Sequence, residues 1–392
     1  MSKSKVLSAA LSVNLVLITC FGVQAEPAET LVSPNEPPGT VPLSLANEGR
    51  AAVDRGLDWL EANQKEDGSW SNGDFPALTA LAMQAFLGSG DPDRDAVRNA
   101  KKFILSCVRD DGGIYRHVEG RKGGGLSNYN TAICMTALHA TGDRSLARVI
   151  QKARDFIAGA QHFGDDIYSG GFGYDRSTGR AYTDLLNTYY AVTAMRETQD
   201  VEDLRPAGEQ KADIDWKETT KFIEKMQNKP EAGKENAGGF TYNPSDPKAG
   251  SATNENGVVF FRSYGSITYA GLLALIYADV SDDDPRVLSA LDWSARHWTL
   301  EENPGMGAQG LYFFYNVLTK SLHAANRDLI PREDGSFVNW RADLVARLVS
   351  RQRIEPDTGR GYWRNENGRF WENDPVLATA YSVIALQRAL GG

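Results

Sequence analysis

Two kinds of helical segment alternate along the chain. Segments of the first kind place apolar residues at helical spacing and keep charge on one face, as Asp58 and Glu61 do beside Leu60. Segments of the second kind carry almost no charge over two turns, as in residues 131–138 and 268–275. A helix that is apolar all round is buried on every side. The pattern therefore predicts amphipathic outer helices that cover apolar inner helices.

This pair of segments occurs six times. A short turn rich in glycine and aromatic residues joins the outer segment to the inner one, and in the first pair Asp67-Gly68 ends the outer helix. The spacing between pairs varies, which indicates that insertions lie in the loops of stacked helical hairpins. The sixth inner segment is as apolar as the middle ones, and this favours a closed ring over an open solenoid with polar ends. The inner segments align on Thr79, Thr131, Thr188, Thr268, Leu311 and Thr379.

The sequence thus predicts an all-α fold over residues 45–392, with an inner ring of six helices within an outer ring. The first unit contains a basic-small pair, an aromatic-aliphatic pair, a glutamine and a Gly-x-Trp turn. These are Arg55-Gly56, Trp59-Leu60, Gln64 and Gly68-Ser69-Trp70. In this it resembles the QW motif of the prenyltransferase and squalene-oxidase repeats. The chain is therefore similar to the terpenoid cyclase and protein prenyltransferase superfamily, whose repeats build an (α/α)6 toroid.

The glutamine of the motif is present in four of the six units, as Gln64, Gln161, Gln227 and Gln352. A side-chain amide at the end of an outer helix satisfies free backbone groups, and the tryptophan ring packs on the adjacent turn. We therefore interpret the motif as structural and not as catalytic.

The N-terminus has the pattern of a secretory signal. Two lysines precede the apolar run 6–23, and Val23-Gln24-Ala25 places small residues before a cleavage site. We expect a signal peptide at residues 1–25, a linker at 26–44 and export to the periplasm or the extracellular space. A retained membrane anchor and a lipoprotein attached through Cys20 are the alternatives. After signal cleavage, no later segment is long and apolar enough for a transmembrane span.

Charge and cysteine content narrow the classes of partner. The chain of 392 residues has 42 Lys and Arg against 51 Asp and Glu. An acidic chain without a basic run does not suit a nucleic acid. Three cysteines are too few for a disulfide framework or a zinc site made of cysteines alone. Whether Cys107 and Cys134 form a disulfide stays open.

This sequence lacks the motifs that carry the catalytic groups of the families it resembles. The Asp-x-Asp-Asp acid of triterpene cyclases has no match, and the nearest string, residues 279–284, is expected in a loop that caps the next helix. The Asp, Cys and His ligands of zinc prenyltransferases are not paired either, so we expect no metal and no cofactor. Residues 305–309 resemble the thioester motif of complement proteins, but Met306 replaces its cysteine.

Candidate binding residues fall into three groups. Aspartates just ahead of inner helices are expected as helix N-caps that point to one mouth of the ring. Long loops at that mouth and aromatic residues inside the ring supply the other two groups. The aspartates are Asp74, Asp184 and Asp374; the loop residues are Arg262, Tyr264 and Trp371; the inner residues are Tyr190, Tyr269, Tyr312 and Tyr381.

Three functional hypotheses remain. The resemblance implies a terpenoid-cyclase-like or prenyltransferase-like protein that holds an apolar or isoprenoid ligand in a central cavity. The second is a module that binds an extracellular protein or glycan without catalysis. The third is a carbohydrate-active lyase or hydrolase, since paired carboxylates at the mouth suit glycosidic chemistry. The expected partners are therefore a small apolar ligand or an extracellular glycan or protein.

Overall fold

The computed structural model describes residues 37–120, 124–176 and 182–391, and the expected signal peptide lies outside these ranges. Within them, twelve α-helices follow one another along the chain. They are α1 (Leu43–Ala62), α2 (Pro76–Leu87), α3 (Asp95–Ser106), α4 (Ser127–His139), α5 (Ala147–Ala158), α6 (Leu185–Glu197), α7 (Trp216–Lys225), α8 (Gly265–Tyr277), α9 (Pro285–Arg296), α10 (Leu311–Ala324), α11 (Trp340–Arg351) and α12 (Pro375–Ala389).

The even-numbered helices form the inner ring. Each one packs against the next in the order α2, α4, α6, α8, α10 and α12, and α12 packs against α2. The last outer helix, α11, packs against α1. The predicted (α/α)6 toroid is therefore confirmed. None of the helices in the described ranges has the length and apolar character needed to cross a bilayer.

Burial explains why the two sets of helices occupy different layers. Every residue of α8 from Gly265 to Leu275 is buried. The outer helix α3 instead buries a stripe that includes Val97, Ala100 and Ile104, which helical spacing places on one face. The inner helices consequently lie between two layers of side chains, while the outer helices keep one face in water.

Long-range hydrogen bonds join the last repeat to the first. Arg55 Nε donates to Gln352 Oε1 over 2.8 Å, and Trp59 Nε1 donates to Glu355 Oε1 over 2.8 Å. In the inner ring, Gln387 Nε2 donates to the carbonyl oxygen of Ala85. Side chains therefore hold the ring closed in both layers.

The glutamines of the repeats tie successive hairpins together. Gln64 Nε2 donates to the carbonyl of Gly68 in its own turn and to that of Ala96 in the next outer helix. The same link between turn and next outer segment occurs at Gln161 and Gln227. Gln352 reaches α1 across the closure through the carbonyl of Ala52. These bonds agree with the expected structural role of the glutamines.

The turn before each inner helix docks on that helix through a threonine. The Thr79 hydroxyl accepts a hydrogen bond from the backbone N–H of Trp70 over 3.1 Å. Four further repeats make the same bond with Thr131, Thr188, Thr268 and Thr379. In the fifth repeat the expected alignment on Leu311 is wrong, because Leu311 is the first residue of α10 whereas each threonine is the fourth or fifth residue of its helix. Phe314 and Tyr315 stand at those positions of α10, so this repeat has no threonine for the bond.

Glycine is required where the turn passes the next outer helix. Gly68 has φ +84°, and a Cβ there would lie 2.3 Å from the carbonyl oxygen of Asn99. Gly238 has φ +89° and would meet the carbonyl oxygen of Ser289 at 2.2 Å. Any larger residue would push the hairpins apart.

The loops carry three short antiparallel strand pairs. They are β1 (Ser251–Thr253) with β2 (Val259–Phe261), β3 (Ile330–Pro331) with β4 (Phe337–Val338), and β5 (Arg353–Ile354) with β6 (Gly361–Tyr362).

Cys107 and Cys134 are both buried and both have free thiols. The acidic string after α8 is a loop as expected, and Asp284 caps α9 by accepting from the N–H of Arg286.

Candidate ligand-binding cavity

A cavity of about 910 Å³ opens at the end of the ring where the inner helices begin. We call this end the mouth and the opposite one the far end. Twenty-one described residues line the cavity, and eleven of them are aromatic. The aromatic residues are Phe75, Tyr129, Tyr174, Tyr182, Tyr190, Tyr242, Tyr264, Phe313, Phe370, Trp371 and Tyr381. The wall is therefore mainly aromatic, with hydroxyl groups on seven of its rings.

Helical periodicity directs several of these rings towards the ring axis. Tyr129 stands two residues before the aligned threonine of its helix, and Leu377 stands at the same position of α12. Tyr190 and Tyr381 stand two residues after that threonine. Positions that are four apart share one face of a helix. The inner helices thus present a single face to the cavity.

Opposite sides of the cavity differ in polarity. Its polar end consists of Tyr174, Tyr182, Tyr242 and Lys248, from the loops that precede α6 and α8. Its apolar end consists of Phe75, Leu78, Trp371 and Leu377, which belong to α2, α12 and the residues just before them. Glu372 follows Trp371 on the same side, but its oxygens accept hydrogen bonds from the Phe313 N–H and from Asn365. In the order of the inner ring, α6 and α8 lie across from α12 and α2. The two ends therefore face each other across the cavity.

Aromatic side chains also pack against one another, both at the apolar end and deeper in the cavity. Trp371 meets Phe75 edge to face, with ring centroids 4.7 Å apart. Deeper in the cavity, Tyr129 meets Tyr190 in the same way at 5.0 Å. Such contacts hold large side chains in fixed orientations. The aromatic wall is consequently preformed.

Short polar contacts organise the polar end. The Lys248 ammonium lies 3.2 Å from Asp246 Oδ2 and 4.6 Å from the ring centre of Tyr242. Tyr182 donates a hydrogen bond to the same Asp246 oxygen over 3.3 Å. Lys248 is therefore already paired with a carboxylate and stacked on an aromatic ring.

Asp184 lies behind Tyr242 and is fully buried. It is the N-cap of α6, where its carboxylate accepts from the backbone N–H and the side-chain amide of Asn187, both over 2.8 Å. The next residue, Leu185, donates its backbone N–H to the Tyr242 carbonyl over 2.8 Å, which places Tyr242 beside Asp184. Burial raises the pKa of Asp184 to about 6, although the hydrogen bonds from Asn187 act to lower it.

Glu372 is the buried carboxylate on the cavity wall itself. Its Oε1 accepts from the backbone N–H of Phe313 over 2.7 Å, and its Oε2 accepts from Asn365 Nδ2 over 2.7 Å. Burial raises the pKa of Glu372 to about 7, while N–H groups at the start of α10 act to lower it. Its oxygens are held by these donors, so its first role is to cap α10 from the next repeat.

Capping by the next repeat occurs along most of the inner ring. The first N–H groups of α2, α4, α6, α8 and α10 each donate to an acceptor contributed by the following repeat. The donors and acceptors are Ala77 and Asn130, Ser127 and Asp175, Leu185 and the Tyr242 carbonyl, Ser266 and Asn303, and Phe313 and Glu372. In α12, Val376 donates to Asp374 of its own repeat. The positive ends of the inner helices are therefore already matched by protein groups.

The structure brings four of the expected site residues together at the cavity. Tyr190, Tyr264, Trp371 and Tyr381 line it. Asp184 lies next to it, behind Tyr242, and caps its helix as expected. Asp374 is a cap as well, but it faces the closure of the ring, where it accepts from the Ser71 hydroxyl.

Three expected residues lie elsewhere. Tyr269 packs on Phe314 in the helix core, and Tyr312 is buried near the carbonyl of Arg364. Arg262 is exposed beside the β1–β2 hairpin, where it donates to the Ser251 carbonyl. None of the three is among the described residues that line the cavity.

The expectation that Asp74 caps α2 is wrong. Asp74 is exposed, and the N-cap position belongs to Phe75, which makes no side-chain capping bond. Pro76 has no N–H to donate, and the next donor, Ala77 N–H, is taken by Asn130 of α4. A neighbouring helix therefore performs the role that the sequence pattern assigned to Asp74.

Sequence reasoning missed Glu372, Tyr129, Tyr174, Tyr182 and Lys248. The positions two residues before and after the aligned threonines would have indicated Tyr129, because they form one helix face. No local signal identifies Glu372, since the helix that it caps lies far from it in sequence. No three His, Cys, Asp or Glu side chains of the described ranges are grouped as metal ligands.

Comparison with known proteins shows the fold. No family model and no curated protein matches the sequence. Among solved structures, a variant of the type II terpene cyclase MstE from Scytonema, in complex with its substrate geranylgeranyl dihydroxybenzoate, aligns with a TM-score of 0.51 and 12% identity, over 88% of this chain and 99% of that one. An inactive variant of the α-1,6-mannanase GH76A from Salegentibacter sp. HEL1_6, in complex with α-1,6-mannotriose, aligns with a TM-score of 0.51 and 11% identity, over 88% and 98%. The Candida albicans protein geranylgeranyltransferase-I gives a TM-score of 0.47 and 14% identity, over 85% and 89%.

Proposed function

We propose that this chain, exported after removal of residues 1–25, binds a mainly apolar, isoprenoid-like ligand in the mouth cavity. The observation that carries the proposal is the cavity itself, with about 910 Å³ and eleven aromatic side chains in its wall. Pockets for small ligands commonly measure about 300–1,000 Å³ and have apolar walls with a few polar groups. A ligand of this kind gains free energy by transferring its apolar surface from water to the wall.

The polar groups of the wall support binding more than cleavage. Glu372 and Asp175, two carboxylates on the wall, both accept hydrogen bonds from backbone N–H groups of inner helices. A general acid or base needs an oxygen that reaches the substrate. Both Glu372 oxygens already accept hydrogen bonds, from the Phe313 N–H and from Asn365, and Asp175 Oδ1 accepts from the Ser127 N–H, so the proposal assigns no reaction to them.

Cleavage of a glycan is the second candidate. It is favoured by the presence of both carboxylates, Asp175 and Glu372, on one cavity wall, because glycosidases use a pair of acids. The toroid of the α-1,6-mannanase shows that such chemistry is compatible with this fold. A module that binds a protein partner without any cavity ligand is the third possibility.

The test uses the purified mature chain, residues 26–392, and two probes. Geranylgeraniol represents the apolar ligand, and α-1,6-mannotriose represents the glycan. Leu377 lines the cavity from α12, so Leu377→Trp fills the cavity with a larger side chain. Leu288→Trp is the matched control, because Leu288 is 47% exposed on the outer helix α9.

We expect geranylgeraniol to bind and to raise the unfolding temperature of the wild-type chain. Leu377→Trp is expected to weaken this binding by tenfold or more, while Leu288→Trp leaves it unchanged. Unfolding temperatures without ligand show whether both variants are folded. Absence of geranylgeraniol binding, or equal binding by Leu377→Trp, would contradict the proposal. Cleavage of mannotriose, lost in Glu372→Gln, would support the second candidate instead.

A further inference from the structure

The polarity of the cavity wall is uneven, and this has a consequence for the chemistry of the ligand. The polar end, Tyr174, Tyr182, Tyr242 and Lys248, lies across the inner ring from the apolar end. A ligand that is apolar throughout would leave the hydroxyls of the polar end facing a hydrocarbon. Unpaired buried polar groups are costly. The wall therefore suits a ligand with one polar and one apolar end.

The starts of the inner helices restrict the charge of the polar head. Free N–H groups at a helix N-terminus bind phosphate and carboxylate groups well. In this ring, the first N–H groups of α4 and α6 donate to Asp175 and to the Tyr242 carbonyl. Those of α8 and α10 donate to Asn303 and Glu372. The helix ends around the cavity are thus occupied by the protein's own acceptors.

The charges at the polar end also disfavour an anionic head. Lys248 is the basic side chain among the described residues that line the cavity, and its ammonium is paired with Asp246 at 3.2 Å. Asp175 lies on the same wall, and Asp184 lies behind Tyr242. Among the described residues on and behind this wall, a carboxylate or phosphate would meet three aspartates and one cation that is already paired.

A hydroxyl group has the matching chemistry. Tyrosine hydroxyls both donate and accept hydrogen bonds, and an alcohol does the same. Tyr174, Tyr182 and Tyr242 line the same end of the cavity, and the hydroxyl of Tyr182 donates to Asp246 Oδ2 over 3.3 Å. An alcohol joins these hydroxyls without introducing a charge.

We infer that the ligand is a neutral amphiphile whose hydroxyl-bearing head lies against the polar end, while its hydrocarbon chain lies against Phe75, Leu78, Trp371 and Leu377. This inference rests on the proposed function, because it assumes that the mouth cavity is the binding site. It names the head group, which the apolar character of the wall alone leaves open.

The experiment compares three probes that share one hydrocarbon chain. They are geranylgeraniol, geranylgeranic acid and geranylgeranyl diphosphate, each titrated into the mature chain at pH 8, where the acid and the diphosphate are charged. We expect the alcohol to bind about tenfold or more tightly than either anion, because a charged head loses its hydration without gaining a free cation.

Variants at the polar end locate the head. Tyr182→Phe removes one hydroxyl of the polar end and keeps the ring. We expect it to weaken alcohol binding by about three- to tenfold, the usual effect of one hydrogen bond. Tyr312→Phe is the matched control, because Tyr312 lies outside the cavity and its hydroxyl is 3.5 Å from its acceptor. The control is expected to bind the alcohol as the wild type does.

The outcomes separate this inference from the proposed function. Equal or tighter binding of the acid or the diphosphate, lost in Lys248→Met, would overturn the neutral head and leave the cavity ligand standing. Alcohol binding that is the same in Tyr182→Phe and in the wild type would overturn the placement of the head. Failure of all three probes to bind would overturn the proposed function itself.

Discussion

The two ends of the ring are built from the same six inner helices, yet they differ in what lies between those helices. The mouth holds a cavity of about 910 Å³ with an aromatic wall. The far end holds a pocket of about 40 Å³, lined in part by Asn316, Lys320 and Arg388. Tyr190 and Tyr381 belong to both walls and separate the two spaces. The mouth of the ring therefore has room for a ligand, and the far end does not.

Charged side chains close the far end. Lys320 Nζ lies 2.6 Å from Glu197 Oε1, and the Tyr277 hydroxyl donates to the same oxygen over 3.2 Å. Arg388 donates to Asn316 Oδ1 over 3.1 Å. The inner helices end here, and cationic side chains suit the negative ends of helices. At the mouth, capping groups from neighbouring repeats line the rim and leave the centre open.

The longest loops between helices lie at the mouth. Residues 159–184 and 226–264 connect helices at the mouth, and they supply the polar end of the cavity. Residues 88–94 and 278–284 connect helices at the far end and are much shorter, while residues 198–215 form a longer connection at that end. The comparison suggests that changes at the far end and in the turns alter stability, whereas changes at the cavity wall alter binding.

The largest expected effect distinguishes two tryptophans near the mouth. Trp70 is fully buried in the turn of the first repeat, and its Nε1 donates to the Leu60 carbonyl. Trp70→Ala is expected to lower the free energy of unfolding by about 3–5 kcal/mol because it leaves a cavity and a lost hydrogen bond. Trp371 is 42% exposed at the cavity rim, so Trp371→Ala should cost much less. Chemical denaturation of both variants measures the difference, and equal losses would contradict the division between framework and rim.

The second prediction concerns the closed end. Lys320→Met leaves Glu197, which is half-buried, without its cation, and we expect a loss of about 2–3 kcal/mol in the free energy of unfolding. The double variant Lys320→Met with Glu197→Leu should regain most of that loss, because no unpaired charge remains. Geranylgeraniol binding is expected to persist in the double variant. If the double variant were as unstable as the single one, the loss would not come from an unpaired Glu197, and the stabilising role of this ion pair would be contradicted.

The third prediction is a pH dependence at the mouth. The pKa of Glu372 is about 7 in the folded chain, against an ordinary value of 4.5. The folded chain therefore holds this proton more tightly than the unfolded chain, and the free energy of unfolding falls as pH rises from about 4.5 to 7. Between pH 5 and pH 8 this carboxyl alone should lower it by about 2–3 kcal/mol.

Glu372→Gln removes that titration. The difference in unfolding free energy between the wild type and Glu372→Gln should therefore change by this amount across the pH range. Glu302→Gln is the control, because Glu302 is exposed in the loop that precedes α10. A difference between the wild type and Glu372→Gln that stays constant with pH would show that Glu372 is ionised throughout.

The smallest expected effect on stability concerns Asp74 and Asp374, which the sequence pattern alike predicts to be helix N-caps. Asp374 accepts from the N–H of Val376, so Asp374→Ala should cost about 1 kcal/mol of stability, as other N-caps do. Asp74 makes no capping bond, and Asp74→Ala should leave the unfolding free energy nearly unchanged. Equal losses would mean that Asp74 caps α2 after all.

Sequence reasoning was sufficient for the ring because its signals are local. The threonines and the alternation of apolar and amphipathic segments each act within one hairpin, as the bond between Trp70 and Thr79 illustrates. The apolar sixth repeat indicated closure because an exposed apolar helix would be unfavourable. The fold was therefore predictable from spacing alone.

The cavity was predictable only in part. Tyr190 and Tyr381 follow from helical periodicity, since inner helices direct that face to the axis. Glu372 and Asn130 cap helices of neighbouring repeats, and such pairs depend on how the hairpins stack. Asp74 was misassigned for the same reason, because its expected partner is taken by Asn130. Contacts between repeats are thus what the sequence pattern leaves undetermined.

Photolabelling tests the central claim, a ligand in the mouth cavity, most directly. A geranylgeraniol analogue with a diazirine on its hydrocarbon chain is bound to the mature chain, irradiated and located by peptide mass spectrometry. The expected crosslinks fall on Phe75, Leu78, Trp371 and Leu377, and an excess of unlabelled geranylgeraniol removes them. Crosslinks confined to the outer helices, or crosslinks that the excess does not remove, would contradict a ligand in this cavity.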